Sequence, residues 1–494
     1  MDFLDPKAKK IRNIRLMVGY VLVAFLVITS SMILVFQAYG FDVDRKTGQV
    51  IQNGLVYIDS APDNAELYLN GMLHKDRTNA RMTLPQGTYE ILIKKDGYRD
   101  WHRTVDVKGG SVERITYPLL VLQELNETEI DNFGKSRPKV ATQSPDRRWL
   151  MVSKENSALN FKEYDLNSVD NNQTVPVERD VIFNPGLLKP PDGAESMEVV
   201  EWSTDNENFL VKHNYGTGHE FVVFNRDDPA LSVNINQLLG LNPDRVTLRD
   251  KKPDQWYLFT SDGGLLQAAN KDREINTVAS NVLSYKTHDS TVVLYAVKST
   301  DKILTIYIKQ NDQTYSLRTV SAGAVRLDIA RYDDAWYVAV GSNGDKRTYV
   351  YKNPVTTLAG REGLKPAPIT VLKASQPIND VAFSTNTRFI MAQNGQSIGV
   401  YDAEKSETYN FKLAVSIDKG TKASWMDGHR IQYRSGGLET IVDFDGSNNQ
   451  KLLAAASGQA TFFDRDYKIL YTINNSQPTT FGLMSTPLRA EADR

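Results

Sequence analysis

The feature that most constrains the fold is a repeat of short strands over residues 139–488. Each unit reads as a turn, an apolar strand, a polar hairpin and a second strand. This order occurs eight times, with spacings of 37 to 60 residues between strand cores at Trp149, Phe209, Trp256, Val293, Trp336, Phe389, Ile431 and Ile469. A period of about 40 residues with three or four strands per unit is typical of a β-propeller blade, which buries its apolar faces only against neighbouring blades. The repeat predicts a propeller, with eight blades favoured and seven possible.

The turns and strand ends of these units carry a family resemblance. Ser144-Pro145-Asp146 opens the first unit and Tyr164-Asp165 closes its second strand, while later copies drift to Ser-Thr-Asp and Ser-Thr-Asn. These elements resemble the TolB or WD40-like propeller family. In peptidases, propellers of that family often precede an α/β-hydrolase domain. This chain has no Gly-x-Ser-x-Gly motif and only residues 489–494 after the last repeat, so we do not expect a serine hydrolase.

The other long-range signal is an uncharged run of 24 residues, Leu16–Tyr39. A helix needs about 20 apolar residues to cross a bilayer. A buried core helix and a cleaved signal peptide are the alternatives, but the apolar region of a signal peptide is only about 7–15 residues long. Phe36-Gln37-Ala38 is also a poor cleavage site. The run predicts an uncleaved transmembrane helix over residues 16–39.

The residues that flank this run predict its orientation. Basic residues precede the span at Lys7, Lys9, Lys10, Arg12 and Arg15, and Asp42 and Asp44 follow it. Basic flanks stay on the cytoplasmic side. We therefore expect a single-pass plasma-membrane protein of a bacterium, with residues 1–15 in the cytoplasm and the C-terminal domains outside the cell.

A small β-rich module is predicted over residues 55–120, after a stem at 40–54 and before a linker at 121–138. Its segments alternate apolar and polar residues between Gly, Pro and Asn turns, as strands of an antiparallel sandwich do. The module resembles the PEGA domain of bacterial surface and envelope proteins, through these residues: Ser60, Pro62, Ala65, Asn70-Gly71, Leu84, Gly87, Tyr89 and Gly97-Tyr98. It departs from that pattern at Asn64, where the family usually has Gly, and at Thr78-Asn79 in place of Thr-Pro. The resemblance implies a small β-sandwich that contacts or projects from the envelope.

Composition excludes several classes of function. The 58 basic and 60 acidic residues give a net charge of -2, which does not indicate a nucleic-acid partner. The chain has no cysteine, so it has no disulfide, Fe–S cluster, thiolate zinc site or Cys nucleophile. The absence of cysteine does not identify the compartment.

Few residues indicate a catalytic, cofactor or metal site, and none is assigned to one. His219-Glu220 begins like a zinc-protease motif but lacks the second histidine. The other histidines, His74, His102, His213, His288 and His429, show no ligand spacing. The segment Asp443–Asn448 resembles a calcium loop without EF-hand spacing, so we interpret it, like Asn225–Asp228, as hairpin turn residues.

Three tryptophans near strand ends, Trp101, Trp202 and Trp425, could stack on a sugar or peptide, although core packing is the favoured interpretation. The leading functional hypothesis is a non-catalytic, membrane-anchored surface protein whose propeller binds a protein or a cell-wall glycan. The alternative is an exported hydrolase of glycan or peptide with its site in the propeller channel. Three or more carboxylates converging in the channel would favour the hydrolase, and a channel filled by aliphatic residues would favour binding.

Overall fold

The computed structural model describes residues 6–43, 48, 50–154, 157–169, 175–311, 313–360, 365–456, 458–477 and 479–490. These residues form two compact units, one that ends at Glu124 and includes Arg489 and Ala490, and one over Leu125–Leu488. Residues 1–5 of the predicted cytoplasmic segment, Asp44 of the predicted stem and residues 491–494 of the predicted tail lie outside the described residues.

The predicted apolar helix is present as α1 (Pro6–Ala38). It begins within the basic segment that precedes Leu16, because Lys and Arg are good helix formers and nothing in that segment breaks the helix. Lys9–Ala38 is long and apolar enough to cross a membrane, and none of its most apolar window is buried by protein. This accounts for the run of large apolar side chains that α1 exposes.

The first unit contains a two-sheet β-sandwich. Its strands are β1 (Phe41–Val43), β2 (Val50–Ile58), β3 (Glu66–Leu69), β4 (Met72–Leu73), β5 (Ala80–Pro85), β6 (Gly87–Lys94), β7 (Trp101–Val107) and β8 (Val112–Ile115). One sheet joins β1, β2, β5 and β8, where β8 runs parallel to β2, and the other has the order β4-β3-β6-β7. Strand β1 and the start of β2 occupy much of the segment predicted to be a stem, so the sandwich begins earlier than residue 55.

A corner of buried hydroxyls explains part of the PEGA-like motif. The Ser60 Oγ donates to the Pro62 carbonyl at 2.6 Å and lies 2.7 Å from the Thr78 Oγ1. The Ala65 N–H in turn donates to the Thr78 Oγ1 at 2.9 Å. Asn64 has φ 57°, a left-handed conformation that Asn tolerates better than most residues, so it replaces Gly here without a change of backbone.

The second unit contains eight four-stranded antiparallel sheets within the described residues. The strand before the first complete sheet is β9 (Thr128–Asn132). The next four sheets comprise β10 (Ala141–Gln143), β11 (Trp149–Ser153), β12 (Asn160–Asp165), β13 (Val177–Ile182); β14 (Glu195–Trp202), β15 (Asn208–Tyr215), β16 (His219–Asn225), β17 (Val233–Asn234); β18 (Arg245–Leu248), β19 (Gln255–Phe259), β20 (Leu265–Ala269), β21 (Ile275–Ala279); and β22 (Val282–Thr287), β23 (Val292–Thr300), β24 (Ile303–Gln310), β25 (Gln313–Ser321).

The last four sheets follow in chain order. They comprise β26 (Val325–Tyr332), β27 (Ala335–Ser342), β28 (Arg347–Lys352), β29 (Thr370–Lys373); β30 (Asp380–Phe383), β31 (Phe389–Asn394), β32 (Ser397–Asp402), β33 (Glu407–Lys412); β34 (Ser424–Trp425), β35 (Arg430–Ser435), β36 (Leu438–Asp443), β37 (Gln450–Ala454); and β38 (Thr461–Phe463), β39 (Ile469–Gln477), β40 (Thr480–Pro487), with β9. Two short helices connect strands, α2 (Ile235–Leu239) after β17 and α3 (Pro354–Gly360) after β28. All eight predicted strand cores lie on the second strand of a sheet, which confirms the repeat.

Strand β9 closes the eighth blade and lies in the segment predicted to be a linker. It pairs with β40, from Thr128 opposite Ser485 to Asn132 opposite Gly482. The Asp131 carboxylate accepts hydrogen bonds from the Lys162 Nζ and the Tyr164 hydroxyl, both at 2.6 Å, on β12 of the first blade. The sequence of this strand is acidic and alternates only weakly, so it did not predict a strand. A polar side chain is suited to this position because Asp131 bonds to the neighbouring blade.

The blades pack on one another as a closed ring. Buried clusters join neighbouring sheets, for example Leu317 and Tyr349 between the fourth and fifth blades, and a further cluster joins Leu150 in the first blade to Tyr471 in the eighth. The first strands of several neighbouring sheets contact one another, among them β14 with β18 and β22 with β26, as strands that surround a central channel do. The propeller therefore has eight blades, and apolar side chains pack between neighbouring blades.

The repeated turn residues are structural. Ser144 Oγ accepts from the Trp149 N–H at 3.0 Å, and Ser384 Oγ accepts from the Phe389 N–H at the same distance in the sixth blade. The aspartate of the Tyr-Asp element accepts hydrogen bonds from an arginine in the turn. In the sixth blade, Arg388 donates to both carboxylate oxygens of Asp402, at 3.0 and 2.6 Å. Such bidentate pairs hold the first turn of a blade to the end of its third strand.

Candidate functional site

The described part of the propeller contains a cavity of about 460 Å³ on the wall of the channel. The first strands of the second, third and fourth blades supply most of its lining, and Lys212 on β15 and Phe221 on β16 complete it. Ligand sites in proteins commonly have volumes of about 300–1,000 Å³. The cavity is therefore the candidate functional site.

The pleat of β14 turns charged and apolar side chains toward the cavity. Alternate residues of β14 are exposed, among them Glu198 and Val200. Glu198 lies opposite Lys212 in the register of β14 and β15, and the register shifts between Val199 and Glu201. Such a β-bulge redirects the side chains that follow it, which explains why Val199, Val200 and Glu201 in succession all line the cavity.

Glu201 joins two blades across the cavity. Its carboxylate accepts a hydrogen bond from the Leu248 N–H at 2.5 Å and forms an ion pair with Lys251, both from the third blade. Its side chain is only 14% exposed. Because a buried carboxylate needs such partners, Glu201 has a structural role between blades.

The same arrangement recurs where Asp328 meets the sixth blade. The Asp328 carboxylate accepts from the Phe383 N–H at 2.8 Å and pairs with the Lys286 Nζ at 3.0 Å. The negative charge of Asp328, followed by an opposing effect of burial, leaves the pKa of Lys286 above its usual value. Lys286 is therefore cationic at neutral pH, and its charge is matched by the recessed carboxylate.

Arg245 differs from these paired cations. Its guanidinium carbon lies 4.7 Å from the centre of the Tyr285 ring and 5.2 Å from that of Phe259, so the side chain stacks on both aromatic rings. Among the described residues, no hydrogen-bond acceptor or carboxylate partner of this exposed guanidinium is found. Burial raises the pKa of Tyr285, which keeps that phenol neutral beneath the cation.

Lys212 is the second cation in the cavity wall that forms no ion pair with a described residue. Its Nζ lies 5.8 Å from the centre of the Phe221 ring. Glu198 and Asp244, which also line the cavity, form no ion pair within the described part of the chain either. The cavity thus presents two cations and two carboxylates that the protein itself does not pair.

Apart from His288, which lines the cavity, the candidate residues that the sequence singled out lie outside it. The His219 Nε2 lies 2.9 Å from the Pro243 carbonyl, and Asp445 accepts from the Ser447 N–H at 3.0 Å within its turn. The side-chain Oδ1 of Asn225 accepts from the N–H groups of Asp227 and Asp228. Among the described residues, no group of three or more His, Asp or Glu side chains could hold a metal ion.

The three tryptophans are packed into the fold. Trp101 is buried in the sandwich, and Trp202 is buried with its indole N–H donating to the Thr142 Oγ1 at 2.7 Å. The Trp425 indole N–H donates to the Ala382 carbonyl at 3.0 Å, and its ring stacks with Phe389. The favoured interpretation of these residues as packing residues is confirmed.

A buried histidine lies between two carboxylates in the second blade. The His213 Nδ1 is 2.9 Å from the Glu220 Oε1, and its Nε2 is 3.1 Å from the Glu195 Oε1. Burial opposes ionisation of Glu220, but hydrogen bonds from His213, the Lys189 N–H and Asn234 leave its pKa below its usual value. Each ring nitrogen of His213 thus lies at hydrogen-bond distance from a carboxylate oxygen, so His213 connects the two carboxylates inside the blade.

The fold and the cavity define a two-domain chain in which an apolar helix precedes a PEGA-type sandwich and an eight-bladed propeller. Residues 53–121 match the family described as PEGA domain. The match covers one domain of the chain and agrees with the resemblance seen in the sequence. The comparison with curated proteins gives no match.

Solved propeller structures resemble the chain at low similarity. The β-propeller domain of Cps50 (Swd1) from Myceliophteria thermophila is 10% identical, with a TM-score of 0.40 and coverage of 66% of this chain and 99% of that one. Hsv2 from Kluyveromyces lactis is 11% identical, with a TM-score of 0.37 and coverage of 64% and 97%. Oligogalacturonate lyase from Vibrio parahaemolyticus is 8% identical, with a TM-score of 0.40 and coverage of 71% and 98%. Structures with such low identity and TM-scores are not evidence for the function of this chain.

Proposed function

We propose that this protein is a non-catalytic, membrane-anchored surface protein whose propeller binds an envelope or extracellular partner. Helix α1 is the anchor, with residues 1–15 in the cytoplasm, and the PEGA domain is a spacer outside the membrane. The observation that carries the proposal is the channel-wall cavity, where Arg245 and Lys212 are cationic and have no ion-pair partner among the described residues. Unpaired donors held by aromatic stacking are a ready binding surface for a protein or a glycan.

A matched pair of variants tests the proposal in the full-length chain reconstituted in lipid. Val200 in the cavity is 36% exposed, and Val371 on the outer strand β29 is 37% exposed. We expect Val200→Trp to fill the cavity and to abolish capture of envelope glycan or protein, because a ligand then has no space. Val371→Trp should leave capture unchanged. Equal capture by both variants would contradict the cavity as the binding site.

The hydrolase remains a second candidate because three carboxylates, Glu198, Glu201 and Asp244, line the cavity. Three carboxylates in the channel is the number that the sequence analysis named as favouring a hydrolase. The Glu201 carboxylate already binds the Leu248 N–H and Lys251, however. The other two carboxylates, Glu198 and Asp244, line the cavity together with Arg245 and Lys212. Turnover of a glycan or peptide that is lost on Glu198→Gln or Asp244→Asn would establish the hydrolase and exclude the binding proposal.

A further inference from the structure

We propose that the channel-wall cavity binds an acidic saccharide, with Arg245 as the group that holds the sugar carboxylate. This inference rests on the proposed function and specifies its ligand. The reasons are the charge state of Arg245, the position of the unpaired carboxylates and the apolar part of the cavity wall.

Arg245 has the properties of an anion-binding residue. Its neighbours hold it by ring stacking at 4.7 and 5.2 Å, and these contacts leave the N–H edge of the guanidinium open. Arginine presents five N–H donors in a planar fork that matches a carboxylate. The channel lysines Lys251 and Lys286, in contrast, are already paired with recessed carboxylates. Arg245, like Lys212, is therefore a cation that an incoming anion meets without displacing an internal partner, and only Arg245 offers a planar fork of donors.

The remainder of the cavity selects among anions. Glu198 and Asp244 accept hydrogen bonds and repel additional negative charge, so they suit hydroxyl groups beside a single carboxylate. Val200, which is 36% exposed, adds apolar surface against which one face of a sugar ring packs. An acidic sugar carries one carboxylate, several hydroxyls and an apolar ring face. An acidic peptide would bring further carboxylates toward Glu198 and Asp244, and is therefore disfavoured.

The test measures binding by calorimetry, with full-length chain in detergent and four probes. The probes are a disaccharide of glucuronate and N-acetylglucosamine, the neutral disaccharide of N-acetylglucosamine, a tetraglutamate peptide and inorganic phosphate. We expect the acidic disaccharide to bind and the other three to bind at least about tenfold more weakly, a difference of roughly 1.4 kcal/mol.

Variants then assign the binding to Arg245. Arg245→Gln should weaken the acidic disaccharide roughly 10- to 100-fold, the range for hydrogen bonds to a charged group, while Arg245→Lys should weaken it less. Arg347→Gln, at an exposed position of β28, is the matched control and should have no effect. If Arg245→Gln does not fold, as shown by its thermal unfolding, Lys212→Gln replaces it and should weaken binding in the same direction.

Other outcomes overturn the inference. Equal binding of the acidic disaccharide to wild type and Arg245→Gln, equal or tighter binding of phosphate or the peptide, or no binding of the disaccharide would each do so. The Val200→Trp comparison separates this failure from failure of the proposed function. If Val200→Trp still abolishes capture, the cavity binds another class of ligand, whereas if it does not, the proposed function is wrong as well.

Discussion

At the scale of single residues, the cluster of His213 with Glu195 and Glu220 links three strands of the second blade. The register explains it, because His213 lies opposite Glu220 on β16 and close to Glu195 on β14. The Lys139 Nζ also pairs with Glu195 from the segment before the first blade. Two carboxylates, a lysine and a histidine therefore contact one another in a place where an isolated charge would be costly.

We predict that Glu220→Gln destabilises the propeller by about 1–3 kcal/mol at pH 7, the cost of a lost hydrogen bond to a charged group. The folded state lowers the pKa of Glu220. The stability from this group is therefore full above the unfolded pKa of about 4.3 and is lost as the pH falls through the lower folded value. Thermal unfolding at a series of pH values should show the difference from wild type shrinking below about pH 4.

The control for this prediction is Glu274→Gln, at an exposed turn position, which should change stability by less than about 0.5 kcal/mol. A Glu220→Gln deficit that stays constant from neutral to acid pH would contradict the stabilising role of the Glu220 carboxylate.

Residue-scale chemistry was the least predictable from sequence. No sequence pattern links His213 to Glu195, because they are 18 positions apart and meet only through strand register. The contacts of Arg245 could not be predicted for the same reason, because its neighbours Tyr285 and Phe259 lie on different strands. In contrast, the turn role of Asp445 was predictable because its partner Ser447 is two residues away.

At the scale of elements, β9 is the most consequential strand. It belongs to the start of the propeller in sequence and to the last blade in the sheet, so it joins the two ends of the ring. Its Asp131 stabilises Lys162 and Tyr164 of the first blade.

We predict that replacing residues 128–132 by a Gly-Ser sequence lowers propeller stability by about 3–5 kcal/mol, the cost of removing one partner of a largely buried ion pair. Thermal unfolding of the propeller measures this loss. The same replacement at residues 270–274, the turn between β20 and β21, should cost much less. Equal effects of the two replacements would contradict ring closure by β9.

The turn at Gly97 gives an independent prediction for the sandwich. Gly97 has φ +79°, and a Cβ there would meet no atom within 4 Å, so backbone strain alone decides the effect. We expect Gly97→Val to destabilise the sandwich by about 1–3 kcal/mol and to leave the propeller transition unchanged. Calorimetry resolves the two transitions. Gly87→Val is the control, because its Cβ would make an ordinary contact at 3.7 Å with Tyr89, and a larger loss there would contradict the strain argument.

Elements with strong local periodicity were predictable, and elements defined by their partners were not. The second strands of all eight blades were predicted from short apolar runs, such as those that begin at Phe209 and Phe389. Strand β9 was missed because its sequence, Thr-Glu-Ile-Asp-Asn, has a single apolar residue. The stem was misjudged for a similar reason, because β1 is short and forms a strand by pairing with β2.

At the scale of the whole molecule, the chain consists of one apolar helix and two β-domains, to which the proposed function gives the roles of anchor, spacer and binding domain. We predict that the fragment from residue 45 onward is soluble, while the full-length chain requires detergent, because α1 carries the exposed apolar surface. Fractionation by ultracentrifugation measures this. Full-length chain in the soluble fraction without detergent would contradict the anchor.

The central claim is that the propeller binds a ligand without cleaving it. The most direct test is the mass of the ligand that is recovered from the protein. Full-length chain in detergent is incubated with the acidic disaccharide or with envelope glycan, and the bound and free material is analysed by mass spectrometry. The binding account predicts that ligand is retained by wild type, is lost on Val200→Trp and is recovered with unchanged mass. Fragments that carry the added mass of water, and that disappear on Glu198→Gln, would contradict the account and identify a hydrolase.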